Sequence, residues 1–217
     1  MEDADDAVAD LEAYCEFDEN RVYLFLAIAR SKENPHVDGG SEVTFREVVR
    51  DEADVRRKYD RLRTLTRGYQ TEFGESLTFR LYVTANARNA VDAFFNFRER
   101  TDDWVRDRFK GDEVAPRKFK RVDGYWKSEL QKPAARDETR FVFDLDDASA
   151  ADRERIVSAL SERTTVATWR ETPNGYHVVA EPFNYNDLHV DVDYELKTDA
   201  LLYVTYLTRA EGGTAAE

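Results

Sequence analysis

Cysteine is nearly absent from this chain. Cys15 stands alone among 217 residues, which excludes a disulfide framework and a thiolate zinc site. Histidine is scarce: His36, His177 and His189 are the only three. Long apolar runs are missing, and none approaches the roughly twenty residues needed to span a bilayer. No signal-peptide pattern opens the sequence. These absences together predict a soluble, cytoplasmic protein with no membrane partner. Positive charge is in deficit as well, with 32 Lys and Arg against 45 Asp and Glu, a net charge of −13 and a pI near 4.8. An acidic total argues against a nucleic-acid partner. Arg outnumbers Lys and Asp is abundant, a balance found in cytosolic proteins of salt-loving organisms, where salt screens an acidic surface. In that setting local charge outweighs the total. An ordinary acidic protein has the same composition.

What is present is enough for a globular core. Hydrophobic residues make up 41% and aromatic residues 12%, over a length that fits one large domain or two small ones. The pattern predicts an α+β fold. Residues 1–20 form an acidic N-terminal segment in which Ala7 to Phe17 suit a short helix. Residues 21–110 read as an N-terminal α/β half. Within it Val22–Ala29 is a buried strand, Ser31–Ser41 a loop, and Phe79–Thr84 a second strand. Thr44 and Glu47 have capping-box spacing ahead of Phe45, Val48, Val49, Val55, Tyr59 and Leu62, which predicts a helix over 45–65. A further helix runs from Asn89 to about Phe109, with Val91, Phe94, Phe95 and Trp104 as its apolar side. Residues 111–138 read as an irregular connection with a local excess of positive charge. Arg117, Lys118, Lys120 and Arg121 lie there with Phe119, Tyr125 and Trp126 interleaved. That mixture suits a nucleic-acid track as well as it suits a solvated linker.

Residues 139–208 give the order β-α-β-β: Thr139–Asp144, a helix capped by Ser149, Thr165–Arg170, a tight Pro173-Asn174-Gly175 turn, and Tyr176–Ala180. Val190–Val192 and Leu201–Leu207 add strand-like pieces, and 209–217 is a tail. The most informative segment is Phe141-Val-Phe-Asp-Leu-Asp-Asp147. Asp144 and Asp146 stand at i and i+2 and so share one face of a strand. Two carboxylates at the end of an apolar strand repel unless a cation lies between them, and Mg²⁺ or Mn²⁺ prefers such oxygen ligands. A polymerase-like metal pair, a haloacid-dehalogenase-type phosphatase and a glycosyltransferase all use Asp-x-Asp, and so does a strand end of solvated acids. The phosphatase reading expects Thr or Val soon after the second Asp, where Ala148 and Ser149 stand, and a Lys and acidic pair far downstream. Thr172, Asn174 and Gly175 form a turn whose N–H groups suit phosphate oxygens, with Arg170 nearby. His177 follows two residues beyond. A lone strand histidine is more often a satisfied structural residue than a ligand-binding one.

Apolar-Asp144-x-Asp146, followed by a hairpin strand carrying Asn174-Gly-Tyr-His177 and then by a later acid, resembles the archaeo-eukaryotic primase and primase-polymerase superfamily. Gly175 stands where that family has Ser. The span Asn174–Asn184 also looks like small proteins of tailed phages, which points to a viral or proviral relative in a salt-loving host. The resemblance implies an RRM-like catalytic core in a mixed, mainly antiparallel sheet, with the N-terminal portion packed on it. It implies two-metal nucleotidyl transfer from a nucleoside triphosphate on a DNA or RNA template, with a replication partner subunit as a further expectation. Asp144, Asp146 and a third acid would hold Mg²⁺ or Mn²⁺. Asp199 is favoured for the third, with Asp191, Asp193 and Glu195 also placed for it. His177, Asn174, Gly175, Arg170 and Lys197 would bind the nucleotide, while Arg117, Lys118, Lys120, Arg121 and Trp126 would hold the nucleic acid. A non-catalytic nucleic-acid-binding or virus-associated protein with the same fold is the alternative. Lys197-Thr-Asp-Ala200 has a ligase-like outline without the Gly that such a motif needs.

Overall fold

A computed structural model of the chain describes residues 4–34, 42–73, 76–113 and 115–210. It is α+β, and its strands form two sheets. The first has the order β2-β1-β3-β9 and is antiparallel throughout. Its strands are β1 (Arg21–Ala29), β2 (Val43–Val49), β3 (Phe79–Thr84) and β9 (Leu201–Thr208), and a two-residue β4 (Arg88–Asn89) pairs with β1. Strand β1 is apolar almost without interruption because both of its faces are covered. Tyr23, Phe25 and Ala27 pack with Leu81 and Val83 beneath helices α1 (Ala4–Tyr14) and α2 (Glu52–Phe73). Val22, Leu24, Leu26 and Ile28 pack with Tyr82 and Tyr203 against α3 (Ala90–Phe109) and α5 (Val122–Leu130). Such two-sided burial replaces the usual apolar–polar alternation of a strand. Cys15 lies in this core as a buried free thiol.

The helix expected over 45–65 is not formed as such. Residues 43–49 are strand β2, with Val48 opposite Leu24, and α2 begins only at Glu52. Asp51 starts it by accepting the Asp54 N–H at 2.8 Å. Glu47, which has the spacing of a capping residue, is buried and binds Lys58 of α2 at 2.7 Å. Val43, Phe45, Glu47 and Val49 alternate toward α2, a strand period hidden within a helix-like one.

Helix α3 is capped by Asn89, whose side chain accepts from Val91 N and Asp92 N, each at 3.0 Å. Only part of its expected apolar side points inward. Trp104 is buried, but Val91, Phe94 and Phe95 are exposed. The stretch expected to be irregular after it is folded into α4 (Ala115–Phe119), α5 and a 3₁₀ turn, Pro133–Ala135. Aromatic contacts hold it, with Trp104 lying 4.7 Å from Tyr125 and 5.8 Å from Phe119 between ring centroids. Buried Glu129 ties α5 to α3 through Arg100 at 2.5 Å.

The second sheet has the order β6-β7-β5-β8, again with antiparallel neighbours. Its elements are β5 (Phe141–Asp146), α6 (Ala150–Ser161), β6 (Val166–Thr172), β7 (Gly175–Ala180) and β8 (Glu195–Lys197). The expected β-α-β-β order is present as a split β-α-β, with β7 lying between β5 and β6. Ser149 and Asp152 form the capping box that starts α6. The piece expected at Val190–Val192 is not a strand, and between β7 and β8 only a 3₁₀ turn, Tyr185–Asp187, is formed. Strand β9 leaves this sheet and pairs with β3, so residues 139–208 feed both sheets. Phe141, Phe143, Leu145, Val178 and Ala180 pack on Ile156 and Leu160 of α6. Val142 and Val179, on the opposite face, join the core under α1 and α2. No helix among the described residues is long and apolar enough to cross a membrane.

Candidate functional site

Register brings the central residues together. Asp144 stands opposite His177 on β7 and opposite Glu195 on β8, and His177 stands opposite Arg170 on β6. Directly opposed residues share a face, so these four side chains lie on the face turned toward the first sheet. Asp144 is 16% exposed, and its Oδ1 lies 3.3 Å from His177 Nε2. Its Oδ2 accepts from Lys197 Nζ at 2.6 Å, and Lys197 also reaches Glu195 at 2.9 Å. The hydrogen bond from His177, with that from Lys197, outweighs burial and holds the Asp144 carboxyl down at about 2. Burial works against the Lys197 ammonium, but its bonds to Asp144 and Glu195 raise it above the ordinary lysine value.

His177 is 12% exposed, and its Nδ1 accepts the Tyr203 N–H of β9 at 3.5 Å. That network assigns the proton to Nε2, where it is donated to Asp144. The ring therefore bridges the two sheets, with a partner at each nitrogen. Arg170 is tied down too. It binds Asp10 of α1 at 3.0 Å and lies over the Tyr14 ring at 5.6 Å. Asp146 is exposed and has no side-chain partner among the described residues. Asp199 is not beside this cluster's cations but on Arg88, at 2.6 and 3.2 Å, with Arg88 itself 1% exposed. Two of the three carboxylates named for metal are thus neutralised by internal cations. Among the described residues, no group of three or more His, Cys, Asp or Glu side chains is arranged to hold a metal ion.

The turn before His177 is shaped by backbone contacts. Asp147 N donates to Asn174 O at 2.6 Å, and Asn174 N to Thr172 Oγ1 at 3.4 Å. Gly175 has φ +153°, and a Cβ added there would lie 1.9 Å from Leu145 O. The place taken by Ser in the primase-like motif therefore admits no side chain in this chain. In the basic segment, Arg117, Lys120 and Arg121 are exposed, and Lys118 pairs with Asp107 at 3.6 Å. Trp126 is half-buried against Phe97, 5.7 Å between centroids, so it is no free platform for a base.

A cleft that sequence reasoning missed lies where β6 meets β9 and the ends of β1 and β3, with a volume of about 1120 Å³. Arg30, Lys32 and Arg209 line it, and none has an acidic partner among the described residues. Arg80 and Arg170 also line it but are paired with Glu33 and Asp10. Glu171 is its one carboxylate without such a pairing among the described residues. Trp169 is 46% exposed, and Arg209 lies 3.9 Å over the Tyr206 ring. Arg170, Thr172 and Asn174, singled out in the sequence as a phosphate-binding turn, also line the cleft, whereas Arg30, Lys32 and Arg209 come from distant parts of the chain and belong to no motif. No family model, curated protein or solved structure matches the chain.

Proposed function

We propose that the protein binds nucleic acid, with single strands favoured, along the cleft between its two sheets. The observation that carries this reading is the set of three cations, Arg30, Lys32 and Arg209, without an acidic partner among the described residues, beside the exposed Trp169 and the half-buried Tyr206. Cations spaced along a groove track a phosphate backbone, and exposed aromatic rings stack on bases without regard to sequence. A duplex hides its bases and gains less from such platforms. The Asp144–His177–Lys197 cluster then serves the scaffold, locking β5, β7 and β8 together and tying the second sheet to β9. The local excess of positive charge accounts for binding by a chain whose total is acidic.

The test is fluorescence anisotropy with labelled single-stranded and duplex oligonucleotides across a salt series. Changing Arg30, Lys32 and Arg209 to Ala should reduce the salt slope by about 2, at about 0.7 per lost phosphate contact. Trp169→Ala should cost about 1–3 kcal/mol, the worth of one stacked base. Neutralising Arg117, Lys120 and Arg121 should leave the Trp169 contribution intact. A nucleotidyltransferase reading is favoured by one observation, namely that Asp144 and Asp146 share a face with His177 and Asp146 has no side-chain partner among the described residues. Under it Mg²⁺ or Mn²⁺ would displace Lys197 from Asp144 and a nucleoside triphosphate would be the substrate. Template-dependent incorporation of labelled nucleotide that is lost in Asp146→Asn would decide for it.

A further inference from the structure

The outer face of α3 carries a stripe of side chains that no described residue covers. Val91, Phe94, Phe95, Val105 and Phe109 are all exposed, Phe95 at 59% and Phe109 at 88%. With 3.6 residues per turn they fall on one side of the helix, opposite the buried Ala93 and Trp104. Arg98 and Asp102 share the stripe. Both are exposed, and neither has an ion-pair partner among the described residues. Apart from Phe94, whose counterpart is Arg106, the pattern is symmetric about Arg100: Val91 and Phe109 lie nine residues away, Phe95 and Val105 five, Arg98 and Asp102 two. Arg100 itself faces inward, bonded to Glu129.

A two-fold axis through the middle of two antiparallel helices sets each residue before the midpoint against its counterpart after it. Applied to α3, that places Val91 on Phe109, Phe95 on Val105 and Arg98 on Asp102 of a second copy, and the same three contacts again in reverse. A parallel pairing would set Arg98 on Arg98 and Asp102 on Asp102. The stripe is therefore complementary in charge and apolarity to itself, in one direction only. We propose that this face is a homodimer interface in which α3 packs antiparallel against α3 of a second copy of the chain. At 20 residues the helix is about 30 Å long, and a single helix seam falls short of the ~800 Å² per partner of a standard interface. The dimer is accordingly weak, with dissociation in the micromolar range. The cleft shares no residue with α3, so this inference stands apart from the nucleic-acid reading.

Sedimentation equilibrium of the whole chain over a micromolar concentration series tests it. The mass should rise from 25.2 kDa toward twice that value. Phe95→Asp with Phe109→Asp, both at exposed positions, should stay at one chain's mass throughout. Arg98→Asp should weaken the dimer about tenfold or more by setting like charges together, and adding Asp102→Arg should restore it. As a direction test, Arg98→Cys with Asp102→Cys should give a covalent dimer on mild oxidation, whereas Arg98→Cys alone should not. Cys15 is buried and does not compete. A wild type that keeps one chain's mass at the highest concentration overturns the inference and leaves the stripe to another occupant, such as a lipid surface or an unrelated protein. A charge swap that fails to restore association overturns the antiparallel pairing.

Discussion

Replacing Asp144 by Asn separates a scaffold cluster from a poised catalytic one. In the wild type Asp144 accepts from His177 and from Lys197 at 3.3 and 2.6 Å. These bonds hold its carboxyl at about 2, against the ordinary aspartate value of 3.8. A folded-state value below the unfolded one means stability that is fully present above the unfolded pKa and lost as pH falls through the folded one. The depression is worth at most about 2–3 kcal/mol at neutral pH, less what the partial exposure of Lys197 screens away. Asn keeps the shape but cannot hold the ammonium. Asp144→Asn should therefore destabilise the protein by about 1–2 kcal/mol at pH 7. The gap should narrow as pH falls from roughly 4 toward 2, where wild-type Asp144 takes up its proton. Urea denaturation at a series of pH values measures this as a change in midpoint at constant slope. A pair of repelling carboxylates awaiting metal predicts the reverse sign, because removing one charge relieves repulsion. An Asn variant as stable as wild type, or more stable, at neutral pH would refute the cluster described above.

Gly175→Ala should cost about 3 kcal/mol or more, since its Cβ would meet Leu145 O at 1.9 Å; thermal melting reads this, and a near-neutral result would mean that β5 and β7 approach less closely. Arg88→Met should cost about 3 kcal/mol by leaving Asp199 without its cation, and Asp199→Asn added to it should recover much of that loss in the same denaturation assay. Substituting Lys197 by Met should match Asp144→Asn in sign at neutral pH, and combining the two should cost less than their sum, because each removes the same bond.

The second sheet was the more legible part of the fold. Turn chemistry at Pro173-Asn174-Gly175, the cap at Ser149 and the period of the flanking strands are all local, and β5, α6, β6 and β7 formed within a few residues of their expected places, whereas β8 was not expected and 190–192 is not a strand. Residues 43–49 misled because Glu47 has the spacing of a helix cap, whereas its partner is Lys58 across the β2–α2 packing. The connection 111–138 misled because its helices are held by Trp104, Phe97 and Arg100 from another element, contacts that no window of sequence displays. At the site, register alone foretold that Asp144 and Asp146 share a face. That Lys197 and His177 occupy Asp144, and that Arg88 occupies Asp199, depends on strands brought together from three parts of the chain. For the same reason only the Arg170–Asn174 side of the cleft was legible: Arg30 and Arg209 meet it only after folding.

The central claim is that nucleic acid lies in the cleft beside Trp169. Its most direct measurement is the affinity of a single-stranded oligonucleotide for the wild type and for the variant with Arg30, Lys32 and Arg209 all changed to Ala, each across a salt series. The account predicts wild-type binding that weakens with salt and favours single strands over duplex, and a variant whose salt slope is flatter by about 2. No wild-type binding at low salt, or equal slopes for the two proteins, would contradict it.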